Sequence, residues 1–222
     1  MTEVNDILIG VLALQGAFEE HNHILTQLGC RNIQVRNEND LQKIDGLIIP
    51  GGESTAMALI AERCGLWPFL VDFCKHKPVF GTCAGLILLA KTVDHQKLNG
   101  QKTLGCMDIV VDRNFFGSQI ASFGMTMSAQ FSITQKESFF AYFIRAPIIE
   151  KITSNDVYII SQLSKDVVES KKKFNGHELS NSEFIIAVQQ KQWLGTSFHP
   201  ELSNCTVFHA HFIEMVHTHA NK

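Results

Sequence analysis

The feature that most constrains the fold is the alternation of short apolar runs with helix-like segments in the first half of this 222-residue chain. Apolar runs of strand length occupy residues 7–14, 33–36, 46–50 and 77–81, and helical patterns occupy residues 17–28, 55–64 and 68–75. Strands that alternate with helices form βαβ units, so the pattern predicts an α/β fold with a largely parallel central sheet flanked by helices.

Beyond residue 100 the pattern changes toward strands and ends in one helix. Strands are predicted at residues 104–111, 125–134, 139–144, 157–163, 183–190 and 193–198, and a helix at 205–218. The stretch 164–182 is rich in Lys, Ser and Asn and is predicted to be a loop or hairpin insertion. Neither a repeat nor a linker divides the chain, so residues 1–222 are predicted to form a single domain.

Charge, apolar run length and cysteine spacing exclude several classes of function. A net charge of −3 and a pI near 6.3 provide no basic surface for phosphate backbones, so no nucleic-acid partner is expected. Apolar runs are shorter than the roughly 18 residues of a membrane span, so no membrane is expected. Glu3 and Asp6 precede the first run where a secretory signal would be basic. The six cysteines lack metal spacing, which favours a reduced, cytoplasmic chain.

The segment G-T-C-A-G at residues 81–85 predicts a nucleophile at Cys83. Small residues flank a nucleophile that lies on a sharp turn between a strand and a helix, because larger ones would clash there. The helix that begins at Ala84 would direct backbone N–H groups and its positive end toward the sulfur, which favours the thiolate. The alternative is a buried free cysteine beside two turn glycines.

The segment S-F-H-P-E at residues 197–201 predicts a base and its orienting group. Pro200 favours an extended conformation at His199, so His199 and Glu201, two residues apart, can project to one side. A carboxylate can then orient the imidazole, as in a nucleophile triad. The alternative is a histidine at a strand end beside a surface glutamate.

The segment P-G-G-E-S at residues 50–54 predicts a turn that approaches a ligand through its backbone. Its Gly52 N–H and the N–H of Ala84 would together form an oxyanion hole. Ser54 or Thr55 is predicted to cap the helix that follows. An ordinary turn between strand and helix is the alternative.

Five segments together resemble the glutaminase subunits of pyridoxal 5′-phosphate synthases, within the class I (triad) glutamine amidotransferases. They are V-L-A-L-Q-G-A-F-E-E-H (11–21), P-G-G-E-S-T (50–55), G-T-C-A-G-L-I-L-L-A-K (81–91), F-I-R-A-P (143–147) and S-F-H-P-E-L (197–202). The resemblance implies the flavodoxin-like fold of that class and hydrolysis of L-glutamine to glutamate and ammonia. The ammonia would pass to a synthase (lyase) subunit in a hetero-oligomeric complex, which builds pyridoxal 5′-phosphate from a pentose phosphate and a triose phosphate.

The resemblance also assigns roles to individual residues. Cys83 would be the nucleophile, His199 the general acid and base, and Glu201 its orienting partner, with neither metal nor cofactor required. The glutamine-binding residues would be Gly52, Glu53, Ser54, Arg113, Ile144 and Arg145. A flip of the peptide between Gly51 and Gly52 would switch the oxyanion hole on and off, so the free subunit is expected to be nearly idle without its synthase partner.

Other interpretations remain open at the level of sequence. The chain would also fit an ammonia-producing subunit of another amidotransferase, a catalytically silent scaffold or a cysteine redox sensor on the same fold. The pairs His209/His211 and His217/His219 are not expected to bind metal, because residues two apart on a helix face different directions. His21 and His23 are predicted to lie on the polar face of the first helix. Most of the clustered phenylalanines (Phe115, Phe116, Phe123, Phe131, Phe139, Phe140 and Phe143) are predicted to pack in the core.

Overall fold

The computed structural model describes residues 7–94, 100–113, 115, 122–132, 136–171, 183–203 and 205–221. Its strands are β1 (Leu8–Leu12), β2 (Arg31–Val35), β3 (Gly46–Ile49), β4 (Val79–Thr82), β5 (Ala90–Asp94), β6 (Met107–Asp112), β7 (Ser122–Gln130), β8 (Lys136–Ile144), β9 (Ile148–Ile152), β10 (Val157–Ser164), β11 (Glu183–Gln190) and β12 (Trp193–Thr196). Its helices are α1 (Phe18–Gln27), α2 (Glu38–Leu41), α3 (Ser54–Arg63), α4 (Trp67–His76), α5 (Ala84–Leu89), α6 (Lys165–Lys171) and α7 (Val207–Ala220), and a 3₁₀ turn spans Pro200–Leu202.

The first half of the chain builds a parallel sheet, as its alternating pattern predicts. The strand order in this part is β2-β1-β3-β4-β12, and each of these neighbouring pairs is parallel. Strand β12 comes from the far end of the chain and pairs with β4 in register, with Thr196 opposite Thr82. The carboxyl ends of β3, β4 and β12 therefore lie side by side, which is where open α/β sheets hold their sites.

Antiparallel strands extend the same sheet beyond β12. Strands β11, β9 and β6 follow in order, β5 pairs in parallel with β6 at the edge, and β10 pairs with β11. Strands β7 and β8 form a separate antiparallel hairpin. The predicted α/β class and its parallel, helix-flanked core are confirmed, and the strand-rich second half supplies the antiparallel extension.

Buried side chains cover both faces of the parallel strands. One face packs against α1 and α7 and holds an aromatic cluster of Phe80, Phe139, Phe143, Phe198, Phe208 and Phe212. The other face packs aliphatic side chains against α3, α4 and α5. Core packing is thus confirmed for Phe131, Phe139 and Phe143, whereas Phe140 is 41% exposed. Phe115 and Phe123 are partly buried, and Phe116 lies outside the described residues.

Several segments differ from the sequence-based prediction, among them the unpredicted short helix α2. Strands β5 and β9 were not anticipated, because each is a five-residue segment whose extended state depends on pairing with β6. The predicted loop or hairpin at 164–182 begins instead with the last residue of β10 and the helix α6, which packs Val168 into the core. Residues 172–182 lie outside the described residues. Within the described ranges, no helix is long and apolar enough to cross a membrane.

Candidate active site

Three neighbouring strand ends bring the predicted chemical groups to one edge of the sheet. Strand β3 leads into Gly51, β4 into Cys83, and β12 through two residues into His199. The strands are parallel and in register, with Ile49 opposite Gly81 and Thr82 opposite Thr196. Residues that are more than a hundred positions apart in sequence therefore meet at one place.

The backbone at Cys83 has the strained conformation that the G-T-C-A-G pattern predicts. Its φ of 48° and ψ of −99° lie outside the regions that L-residues favour. Its N–H donates to the Thr196 carbonyl at 2.8 Å, which ties the turn to β12. A Cβ at Gly85 would lie 2.1 Å from the Ile49 carbonyl oxygen, and one at Gly81 would lie 2.5 Å from the Gly85 carbonyl carbon. Larger residues at either position would therefore push Cys83 out of place.

His199 and Glu201 form a close buried pair, as the H-P-E spacing predicts. Glu201 lies in the 3₁₀ turn, and its Oε1 is 2.7 Å from His199 Nδ1. The His199 backbone N–H donates to the Tyr142 carbonyl at 2.9 Å, which fixes the segment against the β7–β8 hairpin. The Glu201 side chain is completely buried, so contacts within the protein, rather than water, set its orientation.

The surroundings of His199 favour its protonated form. Burial alone would lower its pKa, but interactions with Cys83 and Glu201 outweigh burial and raise the pKa to about 10. An imidazolium between a thiol and a carboxylate is the arrangement that stabilises a thiolate nucleophile and holds a proton for a leaving group. The structure therefore brings together Cys83, His199 and Glu201.

The glycine turn after β3 is held by the segment before α1. The Gly51 carbonyl accepts a hydrogen bond from the Ala17 N–H at 3.0 Å, and the Gln15 side-chain oxygen accepts one from the Glu53 N–H at 2.8 Å. Because a trans peptide points its C=O and N–H in opposite directions, this bond turns the Gly52 N–H away from Ala17. Gly52 has a φ of 155°, and a Cβ there would lie 2.5 Å from the Gln15 oxygen.

Three of the predicted glutamine-binding residues lie in one polar cluster. Arg113 contacts Glu53 Oε1 at 3.3 Å, and its Nη1 donates to Gln101 Oε1 at 2.7 Å. The Ser54 hydroxyl donates to the same Gln101 oxygen at 2.9 Å. Sequence reasoning missed Gln101, because nothing in its local pattern marks it. The prediction that Ser54 or Thr55 caps α3 was wrong.

The helix cap is Glu53, whose carboxylate accepts hydrogen bonds from the backbone N–H groups of Thr55 and Ala56 at 3.3 and 2.6 Å. Glu53 therefore both caps α3 and forms an ion pair with Arg113. A carboxylate also interacts favourably with the positive end of a helix, which accounts for this choice of cap.

The other two predicted binding residues, Ile144 and Arg145, lie at the end of β8. Ile144 is exposed, and Arg145 has a positive φ of 47°. Strand β8 reaches the site through the bond between Tyr142 and His199. In the part of the chain that the structure describes, no hydrogen bond or ion pair joins Arg145 to the Arg113 cluster.

His21 was expected on a polar helix face, but it is completely buried beside Glu201. Its Nε2 lies 3.5 Å from Glu201 Oε2 and 3.2 Å from the Thr82 hydroxyl, and its Nδ1 lies 2.8 Å from His209 Nε2. Its burial was indicated in the sequence, because His21 shares the buried face of α1 with Ile24 and Leu25 at helical spacing, but its contact with Glu201 was not. Among the described residues, no cluster of three acidic, histidine or cysteine side chains could hold a metal ion.

Comparisons with known proteins show which family the chain resembles over nearly its whole length. The model of the SNO glutamine amidotransferase family matches residues 11–218. A probable pyridoxal 5′-phosphate synthase subunit PDX2 of Arabidopsis thaliana is 42% identical over 217 residues, covering 93% of this chain and 85% of that protein. The pyridoxal 5′-phosphate synthase subunit PdxT of Shouchella clausii is 42% identical over 209 residues, covering 94% of each chain.

Solved structures show the same architecture. A glutamine amidotransferase crystal structure superposes with a TM-score of 0.77 at 32% identity, covering 94% of this chain and 98% of the other. A protein from Thermoplasma acidophilum, described as part of a GMP synthase, superposes with a TM-score of 0.60 at 15% identity, covering 97% and 96%. At that identity the second similarity concerns the fold alone.

Proposed function

Because the chain belongs to the SNO glutamine amidotransferase family, we propose that it hydrolyses L-glutamine to glutamate and ammonia at Cys83, as the glutaminase subunit of a pyridoxal 5′-phosphate synthase. The observation that carries the proposal is the meeting of three side chains at one sheet edge. Cys83 lies on a strained turn beside His199, and Glu201 holds the far side of that imidazole at 2.7 Å.

The reaction follows from these groups in two steps. In the first, Cys83 Sγ attacks the side-chain amide carbon of glutamine, the C–N bond breaks, and the His199 imidazolium gives its proton to the departing ammonia. In the second, neutral His199 accepts a proton from water, which attacks the thioester and releases glutamate and the thiolate. Glu201 keeps Nδ1 of His199 protonated, so that Nε2 faces the reacting groups in both steps.

Backbone donors would stabilise the oxyanion that forms in each step. Gly52 and Ala84 follow the neighbouring strands β3 and β4, so their N–H groups are the candidate donors. Each donor of this kind typically contributes about 10²–10³-fold in rate. The hydrogen bond from Ala17 to the Gly51 carbonyl controls which way the Gly52 N–H points. A flip of this peptide would break that bond, which gives the proposed switch a defined structural cost.

The polar cluster around Arg113 suits the amino-acid end of glutamine. Its guanidinium can bind the substrate carboxylate, and Glu53 is an acidic partner for the substrate ammonium. Ser54 adds a hydroxyl to the same cluster through Gln101. Ile144 and Arg145 would complete the pocket from β8. Their place in it is an expectation from their motif and from the link between β8 and His199.

The synthase partner is supported by the relatives that carry the name of pyridoxal 5′-phosphate synthase subunits at 42% identity over nearly the whole chain. Ammonia is a small, easily lost product, so a glutaminase of this kind needs an acceptor subunit that consumes it. A cytoplasmic location belongs to the same proposal. It is supported by the six cysteines, which are all unpaired in the structure.

The decisive experiment measures ammonia release from glutamine by the purified chain, with and without the synthase subunit. Wild type is expected to turn over rapidly only in the complex, and Cys83→Ala is expected to be inactive in both conditions. Partner-dependent turnover that persists in Cys83→Ala would remove this residue from its role. Stable copurification with a different acceptor enzyme, and none with the synthase subunit, would assign the ammonia to another pathway.

A further inference from the structure

Glu201 is contacted by a histidine on each side. Its Oε1 lies 2.7 Å from Nδ1 of His199, and its Oε2 lies 3.5 Å from Nε2 of His21. The side chains of His21 and Glu201 are both completely inaccessible to solvent. The glutaminase chemistry above uses only the first of these contacts. The second places a buried polar side chain directly behind the carboxylate, where water cannot replace it.

His21 carries a single N–H in this environment. Burial, and then the nearby His209 and His199, lower the pKa of His21 well below its ordinary value, so the ring is neutral. Burial likewise lowers the pKa of His209 to about 3. Each ring therefore has one nitrogen that donates and one that accepts. The contact between His21 Nδ1 and His209 Nε2, at 2.8 Å, requires one of the two to donate.

The carboxylate decides which nitrogen of His21 carries the proton. With the proton on Nε2, His21 presents an N–H near the Thr82 hydroxyl, 3.2 Å away, and near Glu201 Oε2, 3.5 Å away, and it accepts at Nδ1 from His209. The opposite arrangement would direct a lone pair at a carboxylate oxygen. It would also leave a buried N–H on His209 Nδ1, which has no hydrogen-bond partner among the described residues. Orphaned buried N–H groups are rarer than orphaned acceptors, so the first arrangement is favoured.

From this geometry we infer that His21 is a positioning residue of the active site: a neutral N–H donor that fixes the Glu201 carboxylate against His199. The inference rests on the proposed glutaminase function and assigns to it a residue outside the three that react. A neutral donor suits this place better than a cation. It brings a positive N–H dipole to within 3.5 Å, nitrogen to oxygen, of Glu201 Oε2, which has no hydrogen-bond partner among the described residues, and it does not compete with the His199 imidazolium for the negative charge.

Two contacts hold His21 in this position. Its Nε2 also lies 3.2 Å from the hydroxyl of Thr82, the residue immediately before Cys83. Its Nδ1 is held by His209, which projects from α7 and is itself completely buried. His21 thus connects the strand that carries the nucleophile with the turn that carries the carboxylate. Loss of its N–H would free Glu201 to rotate, and His199 would lose its fixed partner.

The test compares His21→Leu, which removes the donor, with His21→Gln, which can return an N–H near the position of Nε2. Glutaminase turnover is measured in the complex with the synthase subunit. His21→Leu is expected to lower kcat by about 10- to 100-fold, by analogy with the loss seen when a residue that orients a metal-ligating side chain is removed, and to leave KM within twofold. His21→Gln is expected to recover most of that loss. A wild-type kcat in His21→Leu would overturn the inference.

The matched control is His211→Leu. His211 lies two residues beyond His209 on α7 and is partly buried, and its replacement removes a hydrogen bond of similar length to that between His21 and His209, from Nε2 to Gln189 Oε1 at 2.7 Å. It touches none of the reacting residues, so its kcat should stay within twofold of wild type. If His21→Leu unfolds, the double variant His21→Leu/His209→Leu removes both polar rings together. It is expected to show the same loss of kcat, and full activity in it would equally overturn the inference.

A second measurement does not depend on glutamine. The rate at which iodoacetamide alkylates Cys83 at pH 7 reports the reactivity of the sulfur beside His199, with Cys83→Ala as the background for the other cysteines. His21→Leu is expected to slow this alkylation about tenfold, and His211→Leu to leave it unchanged. If wild type hydrolyses no glutamine, the proposed function fails, while the alkylation rates still decide whether His21 positions the pair. Equal rates in His21→Leu and wild type would refute that role.

Discussion

Gly51 packs directly against the imidazole of His199. A methyl group at Gly51 would lie 2.2 Å from Cε1 and 2.7 Å from Nδ1 of that ring, well inside van der Waals contact. The ring cannot move away freely, because Glu201 holds its Nδ1 and the Tyr142 carbonyl holds its backbone N–H. The glycine turn after β3 is therefore required by the His199 imidazole as well as by the proposed oxyanion hole.

We accordingly expect Gly51→Ala to lower kcat about 100-fold, because a displacement of roughly 1 Å in a reacting group commonly has that effect. Glutaminase assays in the complex would measure it. The control is Gly65→Ala, where the new Cβ meets no atom within 4 Å and only the φ of 75° is unfavourable for alanine. That variant should lose stability and keep its kcat. A fully active Gly51→Ala would show that His199 does not occupy this position during turnover.

The charge of Glu201 is the second target. Glu201 raises the pKa of His199, so Glu201→Gln should lower that pKa and destabilise the imidazolium that protonates ammonia. An amide in place of the carboxylate in a Ser-His-Asp triad lowers kcat by about 10⁴-fold, and a loss of similar order is expected here. Turnover and a histidine NMR titration would measure the two effects. Glu169→Gln, at an exposed ion pair with Lys165, is the control. An unchanged His199 pKa would contradict the assignment.

Arg113→Met should act on binding rather than on chemistry. Arg113 is three-quarters buried and lies between Glu53 and Gln101, so its removal deletes a charge-assisted contact to the substrate carboxylate. Such contacts contribute about 1.5–3 kcal/mol, which corresponds to roughly a 10- to 150-fold increase in KM. The kcat should change little. Lys91→Met, which removes a cation paired with Asp108, is the matched control. A fall in kcat with unchanged KM would place Arg113 outside the substrate site.

Acid should destabilise the fold through its buried neutral histidines. Burial lowers the pKa of His209 from 6.5 to about 3, so below pH 6.5 the unfolded chain binds a proton that the folded chain does not. Above pH 6.5 this proton uptake has no effect on the free energy of unfolding. As pH falls from 6.5 toward 3, it lowers the free energy of unfolding by up to about 1.4 kcal/mol per pH unit. The raised pKa of His199 stabilises the folded chain below pH 6.5, and this stabilisation is lost as pH rises from 6.5 to about 10.

Urea unfolding of wild type and His209→Gln at pH 6.5, 5.5 and 4.5 would measure this slope. Carboxylates contribute equally to the acid sensitivity of both proteins, so the difference between their free energies of unfolding reports the contribution of His209. The free energy of unfolding of His209→Gln should fall less steeply with acid. Parallel curves for the two proteins would indicate that His209 becomes protonated without unfolding.

Much of the site could be predicted from short segments, because each imposes a local requirement on the backbone. The two glycines around Cys83 predict the strained turn, and the proline after His199 predicts that its side chain and that of Glu201 project together. Where a local rule competes with a distant partner, prediction fails. Ser54 and Thr55 are good capping residues, but Glu53 takes the cap while it also holds Arg113 from another part of the chain.

The sequence by itself determined the α/β class, the parallel strands and the turns that carry Cys83, Gly52 and His199. These follow from hydrophobic period and backbone sterics, which act between near neighbours. Only the tertiary structure decided that β12 pairs beside β4, that Gln101 joins Ser54 to Arg113, and that His21 lies buried against Glu201. The environment of a buried polar group is set by residues distant in sequence, so no local pattern could reveal that a histidine of the first helix faces the carboxylate of the last turn.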